Sequence, residues 1–86
     1  MNMSQYQTKK GQLFEAELWR FMKLRRINSF EELRQLTTIG SNNTMSRYRE
    51  DPTRIPIGKL NEIMRAVRMP KDDRIRLISM LGEEDR

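Results

Sequence analysis

Two helical segments separated by a single glycine, at residues 29–49, constrain the fold of this chain more than any other feature. Ser29 followed by Glu32 has the spacing of a capping box, in which a hydroxyl and a carboxylate satisfy free amides at a helix start. The β-branched run before Gly40 disfavours helix, and Gly40 is expected to take the positive φ that a sharp reversal requires. Ser41, or one of the two asparagines after it, can cap the next helix. The segment therefore predicts two helices joined by a tight turn.

Apolar residues recur at helical spacing along most of the chain and predict five helices in all. We expect these helices over about residues 12–26, from about 30, from about 42 to 50, over about 57–68, and from Pro70 to Gly82. The predicted inward residues are Leu13, Phe14, Leu18, Phe21 and Met22, then Phe30, Leu33 and Leu36, then Met45 and Tyr48, then Leu60, Ile63, Met64 and Val67, and finally Ile75, Leu77, Ile78 and Leu81. No segment shows the alternation typical of a strand.

The 86 residues have room for one small domain with one core. We expect an all-α domain over residues 10–82, a flexible N-terminal arm over 1–9 and a charged C-terminal tail over 83–86. Cysteine and histidine are both absent, which removes thiolate nucleophiles, the usual zinc ligands and the most common general base. We therefore expect no enzymatic activity, no metal and no cofactor. The chain also lacks an apolar run long enough to cross a bilayer or to act as a secretory signal, so a cytoplasmic location is expected.

The charge balance favours a polyanionic partner. Lysine and arginine number 17 against 12 aspartates and glutamates, which gives a formal net charge of +5. Charge alone leaves two readings equally open, because small basic proteins bind acidic protein surfaces as well as nucleic acids.

Two motifs give the chain a resemblance to the Cro/CI-like helix-turn-helix family, which is also called lambda-repressor-like or XRE-type. The family commonly shows Ser-x-x-Thr-Ile-Ser-Arg in one helix and Pro-x-x-x-Leu-x-x-Ile-x-x-Ala-Leu in the next. The matching residues are Ser41, Thr44, Met45, Ser46 and Arg47 in the first motif, and Pro56, Leu60, Ile63, Ala66 and Val67 in the second. The chain departs from the family before these motifs, where Arg34 replaces a small alanine and the interval from Leu33 to Ser41 is one residue longer. This extra residue predicts either a longer turn or a shifted second helix.

The resemblance implies a compact lambda-repressor-like domain and a sequence-specific transcriptional regulator that binds double-stranded DNA. We expect a phage-type or mobile-element repressor that occupies an operator as a homodimer. Because the start of the third helix would enter the major groove, its polar side chains are the candidates for reading bases. The predicted base contacts are Asn42, Asn43, Thr44, Ser46 and Arg47. The predicted phosphate contacts are Gln35, Thr37, Ser41, Arg49, Arg54 and Lys59.

Several alternatives remain open at this level. The same scaffold could serve as a protein-binding module, such as an antirepressor, an anti-defence factor or an adaptor, because a fold does not fix a function. A DNA-binding protein without sequence preference would instead rely on lysine and arginine alone. The basic pairs Lys9-Lys10 and Arg25-Arg26 could follow DNA or simply lie in solvent. Met69 and Met80, together with the fifth helix, are candidates for a subunit contact.

Overall fold

A computed structural model describes residues 7–83 and consists, over that range, of five α-helices without a strand. The helices are α1 (Lys9–Leu24), α2 (Phe30–Gln35), α3 (Asn42–Glu50), α4 (Ile57–Ala66) and α5 (Lys71–Gly82), with a short 3-10 turn at Pro52–Arg54 between α3 and α4. The predicted all-α class with five helices is confirmed. Within the described range, no helix combines the length and the apolar character needed to cross a bilayer.

Side-chain caps start three of the helices. The hydroxyls of Thr8, Ser29 and Ser41 accept hydrogen bonds from the backbone N–H groups of the residues three positions ahead, at 2.9, 3.1 and 3.1 Å. Glu32 completes the predicted cap of α2 from the other side, because its Oε1 accepts the Asn28 N–H at 2.9 Å. The local signals at residues 29 and 41 were therefore sufficient to place both helix starts.

The N-terminus of α1 lies directly against the C-terminus of α3. The backbone N–H and the hydroxyl of Thr8 both donate to the carbonyl oxygen of Glu50, at 2.9 and 3.0 Å. A Cβ on Gly11 would lie only 2.4 Å from the same oxygen, so this crossing requires a glycine. Residues 7–9, which the sequence assigns to the predicted arm, lie against α3 through these contacts, and Lys9 is the first residue of α1. The rest of the predicted arm, residues 1–6, lies outside the described residues.

All five helices contribute side chains to one core. Its most deeply buried side chains are Phe14, Leu18, Met22, Leu33, Met45, Ile63, Met64 and Val67, all predicted to face inward. Four other predicted inward residues are exposed, namely Leu13, Leu36, Ile75 and Ile78. Leu36 lies just past the end of α2, and the other three lie on edges of α1 and α5 that no neighbouring helix covers. Met69 is buried and therefore unavailable for the subunit contact predicted for it.

The connection between α2 and α3 is the longer turn that the sequence allowed. It runs over residues 36–41, whereas a helix-turn-helix is usually joined by a turn of about three or four residues. The Thr37 hydroxyl donates to the Arg34 carbonyl at 2.7 Å and accepts the Ile39 N–H at 3.1 Å, so a threonine organises the reversal. The prediction that Gly40 has a positive φ is wrong, since no described glycine has one.

Candidate nucleic-acid interface

The outward side of α3 presents amide and guanidinium groups one helical turn apart. Asn43 and Arg47 are exposed and four residues apart, so they share one face. Met45 lies between them in sequence but points into the core, which fixes the rotation of the helix. This face has the chemistry for major-groove recognition, because asparagine pairs with adenine and arginine with guanine.

Asn42 opens α3 and is held by a residue that the sequence did not single out as functional. Its Oδ1 accepts a hydrogen bond from Arg34 Nε at 2.6 Å, and Arg34 Nη1 donates to the Ile39 carbonyl at 3.2 Å. Arg34 therefore clamps the end of α2 to the start of α3 across the longer turn. The sequence did contain a signal for this role, since an arginine stands at the position where the family places alanine.

Thr44 and Ser46 are less available than the exposed residues of α3. Both are half-buried, and the Thr44 hydroxyl lies 3.0 Å from the hydroxyl of the capping Ser41. Ser46 also takes part in a further interaction, so its side chain is not free. The two predicted base contacts are thus less accessible than Asn42, Asn43 and Arg47, which are exposed.

The prediction that Arg49 lies on the exposed side of α3 is wrong. Its side chain is only 18% exposed, its guanidinium carbon lies 4.0 Å from the centre of the Phe30 ring, and its Nη1 lies 3.6 Å from Glu15 Oε1. Arg49 follows Met45 by four residues, so the helical period turns it inward. This placement makes Arg49 a link between α1, α2 and α3, and leaves it turned away from the face expected to contact phosphate.

Arg54 is the most exposed of the cationic side chains predicted to contact phosphate. Its side chain is 84% exposed, and its Nε lies 3.5 Å from Asp51 Oδ2 in the turn after α3. Arg54 and Arg47 line the same open cleft, which Glu50 and Asp51 also border. The cleft therefore brings together two guanidinium groups and two carboxylates at the C-terminal end of α3.

Lys59 is committed to the scaffold, as part of a cluster that fixes the turn to α4. Its Nζ contacts the Thr38 hydroxyl and lies 3.8 Å from Glu62 Oε2. Glu62 accepts hydrogen bonds from the Thr38 backbone N–H at 2.6 Å and from the Thr38 hydroxyl at 2.8 Å. These bonds hold the pKa of Glu62 below its ordinary value, and the bond from the Thr38 backbone N–H has the larger effect. The remaining predicted phosphate contacts differ, since Gln35 and Ser41 are exposed whereas Thr37 uses its hydroxyl within the turn.

A comparison with protein families matches residues 17–73 to the Cro/C1-type HTH DNA-binding domain. The chain belongs to this family. No curated protein and no solved structure matches the chain. The family match covers the second half of α1 through the start of α5, and it includes every predicted contact residue. The chain is therefore a DNA-binding protein of the helix-turn-helix class.

Two basic residues of this Cro/C1-type domain serve the fold. Lys10 Nζ donates to the Leu81 carbonyl at 3.1 Å and also contacts the Glu83 carbonyl, which satisfies the end of α5. Arg25 Nε and Nη2 donate to the Val67 and Arg68 carbonyls, each at 3.1 Å, at the end of α4. Cations at helix C-termini also complement the helix dipole. The net positive charge therefore overstates the charge that is free to meet DNA.

Proposed function

We propose that this protein is a sequence-specific transcriptional regulator, of the kind found in phages and mobile elements, that represses by occupying an operator. The family supplies the DNA-binding scaffold. The step to sequence specificity rests on which side chains α3 presents.

One observation carries the proposal: Asn43 and Arg47 are exposed on a shared face beside the exposed first residue of α3, Asn42. In a helix-turn-helix, the first turns of the second helix meet the base edges. A guanidinium fork can hold guanine at two atoms, and each such contact contributes about 1–3 kcal/mol of discrimination. A protein that bound DNA by charge alone would have no need of paired asparagines on this face.

Asn42 is proposed to act as a hydrogen-bond donor. Because Arg34 already donates to its Oδ1, the free end of the side chain is the Nδ2 amide. An amide donor fits guanine, the O4 of thymine or a phosphate oxygen better than it fits the two-point pairing with adenine. Asn43 has no such restraint and is the better candidate for adenine.

Phosphate contacts are proposed for residues that flank α3. Gln35 and Ser41 lie at the two ends of the α2–α3 connection, and Arg54 follows α3 in the chain. Each is exposed, and together they lie on both sides of the reading face in sequence. Such contacts fix the register of a protein on the duplex without reading sequence. Arg49 and Lys59 are left out because their side chains are only 18% and 35% exposed, against 84% for Arg54.

The proposal is tested by selecting binding sites from randomised duplex DNA and then measuring affinity for the selected site at two salt concentrations. We expect a defined motif with two-fold symmetry. Arg47→Ala should weaken binding to the selected site and relax the preference at one position of each half-site, because a base contact is lost. The matched control is Arg65→Ala, which removes an equal charge from an exposed position on α4.

Two results would overturn the proposal. The first is recovery of no motif, with weak binding that moderate salt abolishes equally in wild type and Arg47→Ala, which indicates charge-driven binding alone. The second is a motif that both arginine variants bind as tightly as the wild type. Repression is checked separately, by placing the selected site across a promoter and measuring reporter output, which should fall when the protein is present.

A further inference from the structure

An open groove, separate from the outward face of α3, lies where the C-terminal ends of α1, α2 and α4 meet. Its volume is about 380 Å³, and it is lined by aliphatic and arginine side chains. The aliphatic residues include Leu24, Leu36 and Ala66, and the arginines are Arg25, Arg26 and Arg68. No residue of α3 contributes to the groove.

Two of these arginines occupy backbone positions that normally belong to glycine. Arg26 and Arg68 have φ values of 58° and 54°, the only positive values at non-glycine residues in the described chain. The two arginines follow the ends of α1 and α4 and have the same role in two similar helix termini. In each terminus the N–H of the next residue donates to a carbonyl five positions earlier, Ile27 to Met22 and Met69 to Met64, both at 3.0 Å. An L-residue is strained there, and glycine is the usual solution.

The strained arginines have no ion-pair partners within residues 7–83, and no carboxylate lines the groove. Attraction to the helix dipole accounts for part of their presence, because both follow helix C-termini. It does not account for the groove between them. Arg25 already satisfies the carbonyls at the end of α4, and no contact within residues 7–83 engages the guanidinium groups of Arg26 and Arg68.

The leucines identify the kind of anion that the groove fits. Leu24 and Leu36 are 64% and 59% exposed, and both belong to the lining. Phosphates of a duplex would gain nothing from two aliphatic side chains, whereas a protein segment would bury them. Three arginines and no acid around aliphatic residues are complementary to a segment that carries both carboxylates and apolar side chains.

We propose that this groove docks an acidic amphipathic segment of a protein partner, with apolar side chains against Leu24 and Leu36 and carboxylates on Arg26 and Arg68. This interaction is additional to DNA binding. It would allow the protein to recruit, or be controlled by, a second protein while α3 remains on its site.

The test is an NMR titration of the isotope-labelled full chain with a synthetic helical peptide that carries leucines four residues apart and glutamates on the flanking positions. We expect backbone amide shifts at residues 24–27, 36 and 66–68, with α3 unaffected. The same peptide with glutamine in place of glutamate, or serine in place of leucine, should bind about tenfold more weakly or worse.

Protein variants supply the second arm of the test. The double variant Arg26→Gly/Arg68→Gly removes both charges in the residue type that suits the backbone, so its melting temperature should equal or exceed that of the wild type. Its affinity for the acidic peptide should fall by about tenfold or more. Leu24→Ser/Leu36→Ser should lose binding similarly. Ile57→Ser alters an equally exposed aliphatic residue outside the groove and should bind as the wild type does.

Several outcomes would overturn the inference. The first is that the backbone amides of the groove do not shift with up to about 1 mM peptide, which corresponds to negligible affinity. The second is that the Arg26→Gly/Arg68→Gly variant binds the peptide as tightly as the wild type. Shifts at the groove on adding duplex DNA instead would assign it to the nucleic-acid interface. Concentration-dependent shifts there without peptide would assign it to a second copy of the chain. None of these results depends on whether a DNA motif is found.

Discussion

Arg34 makes a contact on which the geometry of the DNA-reading helix depends. It donates to Asn42 Oδ1 and to the Ile39 carbonyl, and so ties the start of α3 and the middle of the long turn to α2. We expect Arg34→Ala to lower the free energy of unfolding by about 0.5–1.5 kcal/mol, the usual net contribution of such hydrogen bonds. Urea unfolding measures this change.

Affinity for the selected DNA should suffer more than stability in Arg34→Ala, because both the turn and the Asn42 amide lose their orientation. Arg65→Ala, which removes an exposed charge from α4, serves as the control for electrostatic loss. An Arg34→Ala protein that binds with wild-type affinity and base preference would show that the clamp has no role in recognition.

Glu62 gives the domain a defined pH dependence. Its pKa is lowered in the folded protein by hydrogen bonds from Thr38, so it stabilises the fold at any pH above its ordinary value of 4.5. That contribution is lost as the pH falls through the lowered pKa, because the folded state then has to bind the proton as well. Glu62→Gln keeps an oxygen acceptor but cannot titrate.

We therefore expect the free energy of unfolding of Glu62→Gln to fall less than that of the wild type when the pH is lowered from about 6 to about 3. Denaturant unfolding at the two pH values measures the difference. Glu31→Gln, at an exposed position in the first turn of α2, provides the comparison. Equal losses in wild type and Glu62→Gln would contradict the assignment.

The crossing of α1 over the end of α3 depends on a glycine. An alanine Cβ at position 11 would lie 2.4 Å from the Glu50 carbonyl oxygen and 2.5 Å from that of Arg49, so the two helices would have to separate. We expect Gly11→Ala to cost about 1–3 kcal/mol of stability, as overpacking does elsewhere. Because α3 shifts with its C-terminus, affinity for DNA should fall as well.

Gly58 is the matched control for this substitution. It lies within α4 with nothing inside 4 Å of an added Cβ, so Gly58→Ala should raise stability by up to about 1 kcal/mol. Thermal or urea unfolding of the two variants separates close packing from helix propensity. Similar changes in both would mean that the α1–α3 crossing is not tight.

Features that depend on neighbouring residues could be predicted from the sequence, whereas contacts between distant residues could not. Ser29 and Ser41 were placed correctly because a cap involves residues only three positions apart. The burial of Arg49 and the capping role of Lys10 depend on partners 34 and 71 positions away in the chain, at Glu15 and Leu81, which no local pattern reveals. The left-handed positions were missed because arginine stands where glycine would have marked them.

The basic residues of the domain fall into two groups, those that contact other parts of the fold and those that are exposed. Lys10, Arg25, Arg49 and Lys59 are engaged with carbonyls, carboxylates or a ring inside the described part of the chain. Arg47 and Arg54 remain exposed together beside α3, and Arg26 and Arg68 remain exposed together on the groove. Two pairs of exposed arginines thus lie together, one pair where DNA is expected to bind and one pair on the groove proposed for an acidic protein segment.

Assembly of two copies is the remaining part of the regulatory proposal, and we propose α5 as the surface for it. Ile75 and Ile78 are exposed on α5 and line a second groove with Met64 of α4. A symmetric pair through this face would bury these isoleucines, and a two-fold site would require its two α3 helices to reach successive major grooves about 34 Å apart. The two-fold motif expected from site selection requires such a pair.

We therefore expect the wild type to sediment as a dimer at micromolar concentration and Ile78→Glu to sediment as a monomer. The variant should keep its helical circular dichroism, because Ile78 lies outside the core, and should lose most of its affinity for the two-fold site while retaining weak binding to a half-site. Leu13→Glu, at an exposed position on α1 that lines a different groove, should leave the dimer intact. A wild-type protein that stays monomeric both free and on its DNA would rule out the α5 dimer, and would leave single-copy binding as the mode by which α3 reads its site.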